Sequence, residues 1–226
     1  ILNRFRYLFL NHIFTFPLSC KKYYLVITIG FSLKFIKTLL LFVLLATVLS
    51  STSTQQNIHC LIKTELGNIT IELYPAKAPV TVANFLKYVD AHLYDSSSFF
   101  RAVTLNNQPN NAVKIEVIQG GNVDSLKEFA PIKLETTEQT GLLHKDGTIS
   151  MARGKPASAT SSFFICINDQ PSLDYGGKRN ADGQGFAAFG KVINGMDVVK
   201  KIQQLYPEQG QYFKPVVQII SITRIQ

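Results

Sequence analysis

The sequence predicts a mainly β fold: a closed eight-stranded antiparallel β-barrel with two covering α-helices. Three observations carry that expectation. Short apolar runs recur between turn residues from residue 58 to residue 223, only two stretches switch to helical spacing, and no fixed-period repeat runs through the chain. Strands that follow one another through short turns pair antiparallel, and eight of them can close on themselves with side chains filling the interior.

The elements follow in order. Residues 58–73, IHCLIKTELGNITIEL, form two strand-like runs about the dipeptide Gly67-Asn68, a pair suited to a tight two-residue hairpin turn. Ile69, Ile71 and Leu73 alternate with Thr70 and Glu72, so one face is buried. Pro75 and Pro79 break the pattern, and Pro79 sits where a first helical turn tolerates it. From there Val82, Phe85, Leu86 and Val89 share one helical face. Further strands are expected at 99–103, 113–120, 148–152, 163–167, 186–192 and 216–223. Between the last two, GMDVVKKIQQL places Met196, Val199 and Ile202 on a second helical stripe that Pro207 ends. Phe163 and Phe164 are adjacent and point to opposite faces of a strand, and the residues alone do not say which one is core. Phe99 and Phe100 pose the same choice, with Phe99 the expected barrel filler. An interior filled by Ile, Val and Phe leaves function to the outer wall and its loops, and argues against a carrier of small apolar ligands.

Charge and composition narrow the classes. The 226 residues are 46% apolar, enough for a proper core, and the net charge is +8. Residues 1–50 hold six basic residues and no acidic ones, which leaves 17 basic and 15 acidic residues in the rest. The excess belongs mostly to the leader, and the body has no basic run to follow a phosphate backbone, so nucleic acid is excluded as the expected partner. Cys20, Cys60 and Cys166 form no CxxC pair and have no histidine at ligand spacing, which gives a metal site no support. Cys60 and Cys166 are expected as buried free thiols.

From Leu33 the chain reads LKFIKTLLLFVLLATVLSSTSTQQ: two lysines, an apolar run from Thr38 to Leu49, then small polar residues. That is the pattern of a secretory signal, and the run is too short to span a bilayer as a helix. The expected organisation is an upstream segment over 1–32 with translation starting at Leu33, a signal peptide over 33–51 cut near Ser50 or Ser51, and one domain over 52–226. The alternative is an uncleaved anchor from Tyr23 to Leu49, against which Lys34 and Lys37 at mid-span stand.

One residue stands out chemically. SFFRAV places Arg101 inside an apolar strand, and burying an unpaired guanidinium costs several kcal/mol or more. The bland reading of such an arginine is that it points to water, and the other is that it belongs to a site. A second apolar run ends in Gln119 followed by Gly120 and Gly121, read as a strand end where side chains would obstruct a close turn. Asn168, Asp169 and Gln170 read as a turn rather than a carboxylate site, and YGGKRNADGQGF from Tyr175 as a flexible surface loop rather than a phosphate cradle.

Five blocks together carry more than any single motif: GNITIELYPAKAPVTVANFLKYV, YDSSSFFRAV, VIQGG, GTISMARGKPASATSSFFICI and FAAFGKVINGMDVV. In order and spacing they resemble the cyclophilins, β-barrel peptidyl-prolyl cis-trans isomerases, in their compact bacterial exported form, from about Cys60 to Ile225. The resemblance implies a peptide-proline groove on the outer wall with Arg101 as its catalytic arginine. It implies substrate contacts from Gln119, Val117, Ala152, Phe164, Leu173 and Phe186. It also implies no metal and no cofactor, because rotation about an amide needs no nucleophile or general base. The implied partners are proline-containing peptides and unfolded exported proteins, the implied place is the bacterial periplasm without a stable membrane anchor, and the implied state is a monomer. Some positions depart from the family pattern: Glu116 and Val117 replace Phe and Met, Ser162 replaces Gln, Ser172 replaces Trp, Phe186 stands at a His or Tyr position, and the stretch after Arg101 is longer than usual. Glu116, Ser162 and Ser172 motivate a second expectation, a non-catalytic module that binds proline-containing peptides.

Overall fold

Thr64 closes the first hairpin of the domain. Its hydroxyl donates to the Gly67 carbonyl (2.7 Å) and accepts from the Leu66 amide (3.1 Å). The two-residue turn is therefore Glu65-Leu66, with Thr64 paired to Gly67 and Lys63 to Asn68. The hairpin expected about Gly67-Asn68 exists, but its tip lies two residues earlier, because the threonine side chain supplies the local bonds that an Asn-Gly type of turn would otherwise supply. Gly67 instead begins the second strand, at φ 138°, where a Cβ would sit 2.8 Å from Val198 of the last helix.

A computed structural model describes residues 15–17, 24–26, 56–205 and 210–226. The chain divides into two compact units, Ile1–Ser53 and Thr54–Gln226. In the first, β1 (Thr15–Pro17) and β2 (Tyr24–Val26) pair antiparallel, with Phe16 opposite Leu25. The expected start at Leu33 and the signal peptide over 33–51 lie outside the described residues, as does the anchor alternative except at Tyr24–Val26, which form β2. No described helix is long and apolar enough to cross a membrane.

The second unit is the barrel. Its strands are β3 (Ile58–Thr64), β4 (Gly67–Leu73), β5 (Ser98–Val103), β6 (Val117–Gly120), β7 (Thr148–Met151), β8 (Phe163–Cys166), β9 (Ala187–Asn194) and β10 (Tyr212–Ile225). They close in the order β10-β3-β4-β9-β7-β8-β6-β5, and β5 pairs back with β10. Every neighbouring pair is antiparallel, as the short turns require. Among the described residues there are three α-helices: α1 (Pro79–Asp90), α2 (Thr137–Thr140) and α3 (Met196–Gln204).

The two expected helices are α1 and α3. Val82, Phe85, Leu86 and Val89 of α1 are buried, as are Val199 and Ile202 of α3, so the helical stripes face the barrel. Helix α1 begins with Pro79 and has no side-chain cap of its own; Glu135 reaches in from a distant loop to accept from the Val80 and Thr81 amides and the Thr81 hydroxyl. A carboxylate there also meets the positive end of the helix. The short α2 went unread in the sequence, although Thr136 and Gln139 form a capping box and Gly141 ends the turn at φ 69°.

The strand expected over 113–120 is shorter than its apolar pattern: only Val117–Gly120 is β. Gln108, buried in the loop after β5, takes the backbone of Ile115 instead, donating to its carbonyl (2.7 Å) and accepting from its amide (3.3 Å). Backbone groups that a side chain satisfies have no need of a ladder. The remaining strands differ from expectation by up to four residues at their ends.

Inside the barrel, Phe163 meets Phe85, Phe99 and Tyr94 edge-on at centroid distances of 5.6, 5.9 and 5.7 Å. That cluster explains Gly120 and Gly121. A Cβ on Gly120 would lie 2.8 Å from the Phe99 ring, and one on Gly121, at φ 78°, would lie 2.8 Å from the Phe163 ring. Cys60 and Cys166 are buried free thiols, and burial pushes the pKa of Cys60 up to about 12. Neither thiol is therefore poised for reaction.

Candidate active site

Strand register sets one row of side chains across the wall. Tyr212 of β10 lies opposite Arg101 of β5, Arg101 opposite Gln119 of β6, and Gln119 opposite Phe164 of β8. Because side chains alternate along a strand, paired residues in such a row project to the same face, and here that face is the outside. Phe164 thus belongs to the wall and Phe163 to the core, which resolves the choice the sequence left open. Phe99 is interior too, although only two residues from Arg101, because the β5–β6 register shifts between them and interrupts the alternation.

Arg101 is half-buried and bonded to neutral groups. Its Nη1 donates to Gln119 Oε1 (3.0 Å), and its Nε (2.9 Å) and Nη2 (2.5 Å) both donate to Gln211 Oε1. Gln211 is fixed in turn by its side-chain Nε2, which donates to the Asn107 carbonyl (2.9 Å). The guanidinium carbon also lies 5.9 Å from the Tyr212 ring centroid. Burial lowers the arginine's pKa from its ordinary value, opposed by the neighbouring Tyr212. An arginine remains cationic under such a shift, so the wall presents a fixed positive charge with N–H groups to spare.

Beside it opens a hollow of about 220 Å³. Arg101, Val117, Gln119, Ala152, Phe164, Leu173 and Phe186, the seven residues named from the sequence, all line it. Ile115, Arg153, Arg179 and Asn180 line it as well, and the sequence reading named none of these four. Val117 and Phe164 come from strands, Leu173 from a 3-10 turn (Pro171–Leu173), and Phe186 from the end of the loop that follows. The Phe186 amide donates to the Leu173 carbonyl (3.0 Å), which ties the two apolar walls together. Phe164 and Phe186 meet edge-on at 5.3 Å. Arg153 lies 5.2 Å over Phe186 and is held by two bonds to Asp182 (2.7 and 2.9 Å). The Arg153 hydrogen bonds hold the Asp182 carboxyl at about 2, so this carboxylate is ionised at neutral pH.

The loop from Tyr175 is not simply a surface excursion. Gly176 donates to Gly183 (2.7 Å), the Arg179 amide donates to Ser172 (3.1 Å), and the Arg179 side chain crosses to Gln108 Oε1 (2.9 Å) and the Val113 carbonyl (2.6 Å). It therefore clips the loop after β5 against the groove. Asn168 and Asp169 are turn residues as read, with Asp169 paired to Lys145 (2.8 Å). Glu116 accepts from Asn168 (2.9 Å) and faces a different hollow.

Behind Phe164 runs a chain of a different kind. His144 Nδ1 lies 2.7 Å from Asp174, its Nε2 lies 3.0 Å from Ser150 Oγ, and its ring stacks on Phe164 at 5.9 Å. An Asp-His-Ser order invites comparison with a nucleophilic triad. Here His144 is 1% exposed and Ser150 0%, so no substrate reaches the hydroxyl. The chain instead holds the ring that backs Phe164. Among the described residues no group of three His, Cys, Asp or Glu side chains is placed to hold a metal ion.

Comparison with known proteins points one way. The profile of the family described as cyclophilin type peptidyl-prolyl cis-trans isomerase/CLD matches residues 59–224. A peptidyl-prolyl cis-trans isomerase of Acinetobacter baylyi is 39% identical over 189 residues, covering 80% of this chain and 92% of that protein. Peptidyl-prolyl cis-trans isomerase A of Dickeya dadantii is 40% identical over 169 residues, covering 70% of this chain and 80% of that protein. Among solved structures, a Cryptosporidium parvum cyclophilin type isomerase shares the fold at TM-score 0.59 and 21% identity, covering 76% of this chain and 99% of its own. The same protein has been solved in the presence of the dipeptide Ala-Pro (TM-score 0.57).

Proposed function

This chain belongs to the cyclophilin-type peptidyl-prolyl cis-trans isomerases, and from that premise we propose how its outer groove performs the reaction and where the protein works. The activity is rotation about Xaa-Pro bonds. Resonance holds that amide planar behind a barrier of ~18–20 kcal/mol, and unaided exchange takes tens of seconds or longer. At the twisted transition state the prolyl nitrogen regains its lone pair. A donor aimed at that nitrogen stabilises the twisted state more than the planar one, and such a difference is what lowers the barrier.

Arg101 is that donor. Gln119 and Gln211 fix the plane of its guanidinium through three N–H groups, leaving others free to meet the prolyl nitrogen. Phe164, Leu173 and Val117, with Phe186 at the rim, grip the pyrrolidine ring while the preceding carbonyl swings. The backbone after β7, at Ala152, runs along the groove and offers strand-like bonds to an extended peptide. The observation that carries this reading is a half-buried guanidinium, without a carboxylate partner among the described residues, beside a hollow whose apolar lining includes Val117, Phe164, Leu173 and Phe186. The Cryptosporidium relative solved in the presence of the dipeptide Ala-Pro supports a proline-bearing ligand.

The cellular setting follows from the leader. The signal over 33–51 directs export to the bacterial periplasm and is cut after Ser50 or Ser51, and the domain over 52–226 assists folding of exported proteins as an unanchored monomer. Its groove is complete from one chain, which supports the last point. N-terminal sequencing of the protein recovered from the periplasm is expected to begin at Ser51 or Thr52. Recovery only from membranes, with residues 33–50 retained, would favour the tethered alternative.

A further inference from the structure

Of the three guanidiniums that line the groove, two have no matching carboxylate among the described residues. Arg101 is bonded to amides of Gln119 and Gln211, and Arg179 to the amide of Gln108 and the Val113 carbonyl. Neither enters an ion pair among the described residues, whereas Arg153 on the same wall is matched by Asp182. The nearby acids are committed elsewhere: Asp174 to His144, Asp182 to Arg153, and Glu116 to Asn168 outside this hollow. Nothing acidic lines the hollow itself.

Two further observations point toward a missing acceptor. The Asn180 Nδ2 group, on the same lining, is buried and has no hydrogen-bond partner among the described residues. An orphan donor of that kind costs ~1–3 kcal/mol unless a ligand or water meets it. Arg179's pKa is lowered, first by burial and then by the charge of Arg101, so the two cations are close enough to repel. Clipping the loop after β5 against the groove uses only Nη1 of Arg179, and a neutral donor would do it without that repulsion.

We propose that this groove selects Xaa-Pro segments with an aspartate or glutamate next to the proline, and that Arg179 is the specificity-determining residue, with Asn180 Nδ2 as a second donor to the same carboxylate. The proposal rests on the groove being the peptide site. Arg101 meets the prolyl nitrogen in every substrate; Arg179, on the wall formed by the 175–186 loop, meets the flanking side chain. A carboxylate there gains two charge-assisted bonds, a carboxamide loses the charge, and an ammonium is repelled.

The test uses the full protein and a set of short proline peptides with Glu, Gln or Lys on either side of the proline, followed by exchange NMR at low and high salt. The expected result is a Glu-over-Gln preference in kcat/KM of at least about fivefold at one flank, Lys poorest, and a preference that shrinks as salt rises. In Arg179→Gln that Glu/Gln ratio is expected to fall to within about twofold, and Arg179→Lys to keep more of it. Equal turnover of Glu and Gln peptides by the wild type overturns the proposal, as does a ratio that survives Arg179→Gln. Should Arg179→Gln fold poorly, the wild-type ratio and its salt dependence decide alone. Failure to accelerate any peptide would strike the isomerase mechanism rather than this selectivity.

Discussion

Replacing Arg101 with alanine is expected to leave the barrel folded and to lower kcat/KM for Xaa-Pro rotation by ~10²–10³-fold, the usual cost of removing one preorganised transition-state donor. The side chain lies on the outer wall, so its loss opens no cavity in the Phe85–Phe163 core. Its partners Gln119 and Gln211 are amides beside a solvent-facing hollow, where water can replace the lost bonds. The loss should fall on kcat, because the apolar seat that binds the ring remains. Arg101→Lys is not expected to rescue. A lysine keeps the charge but not the planar fork that three hydrogen bonds hold in place. Exchange NMR on a proline peptide, with circular dichroism to check folding, measures both. Rates equal to wild type in both variants would remove Arg101 from the mechanism.

The second large effect separates two neighbours in one strand. Phe163→Ala is expected to cost about 3–5 kcal/mol of stability, a large part of the ~5–15 kcal/mol that holds a typical domain together. Its ring is 0% exposed and wedged edge-on among Phe85, Tyr94 and Phe99, so truncation leaves a cavity that three aromatic rings border. Phe164→Ala, one residue on, should cost less stability and more function. One side of that ring already borders the hollow, and its removal deletes the surface on which the pyrrolidine ring rests. Denaturant midpoints and KM for a proline peptide distinguish the two. A variant pair in which Phe164→Ala is the less stable and Phe163→Ala the poorer binder would reverse the assignment of faces.

That pair also shows how far the sequence could be read. Period-two alternation in Ile69, Ile71 and Leu73 and helical stripes in 79–90 and 196–204 fixed the element types, because each buries one face against the same core. Which of two adjacent phenylalanines faces that core depends on register with β6, and register is a relation between segments distant in sequence. The resemblance supplied the choice, and the pairing of Gln119 with Phe164 gives its physical reason.

What stayed illegible follows the same logic. Gln211 lies 110 residues from Arg101, and Arg179 lies 71 from Gln108; no local pattern links either pair. Both belong to irregular segments whose backbone is organised by side-chain bonds instead of a ladder, and periodicity is silent there. Gln108 shows the cost of that silence: by satisfying Ile115, it ends a strand that the apolar pattern carried to 113. The signal for α2 was local and present, since Thr136 and Gln139 stand at capping-box spacing, but four residues carry too little apolar period to reveal a helix.

The most direct measurement is a structure of the protein with a proline-containing peptide in the groove. The account predicts the pyrrolidine ring against Phe164 and Leu173, with the Arg101 guanidinium the nearest charged group to the prolyl nitrogen and Gln119 and Gln211 still holding its plane. A peptide seated in that hollow with its prolyl nitrogen turned away from Arg101, or bound on another face of the barrel, would contradict it.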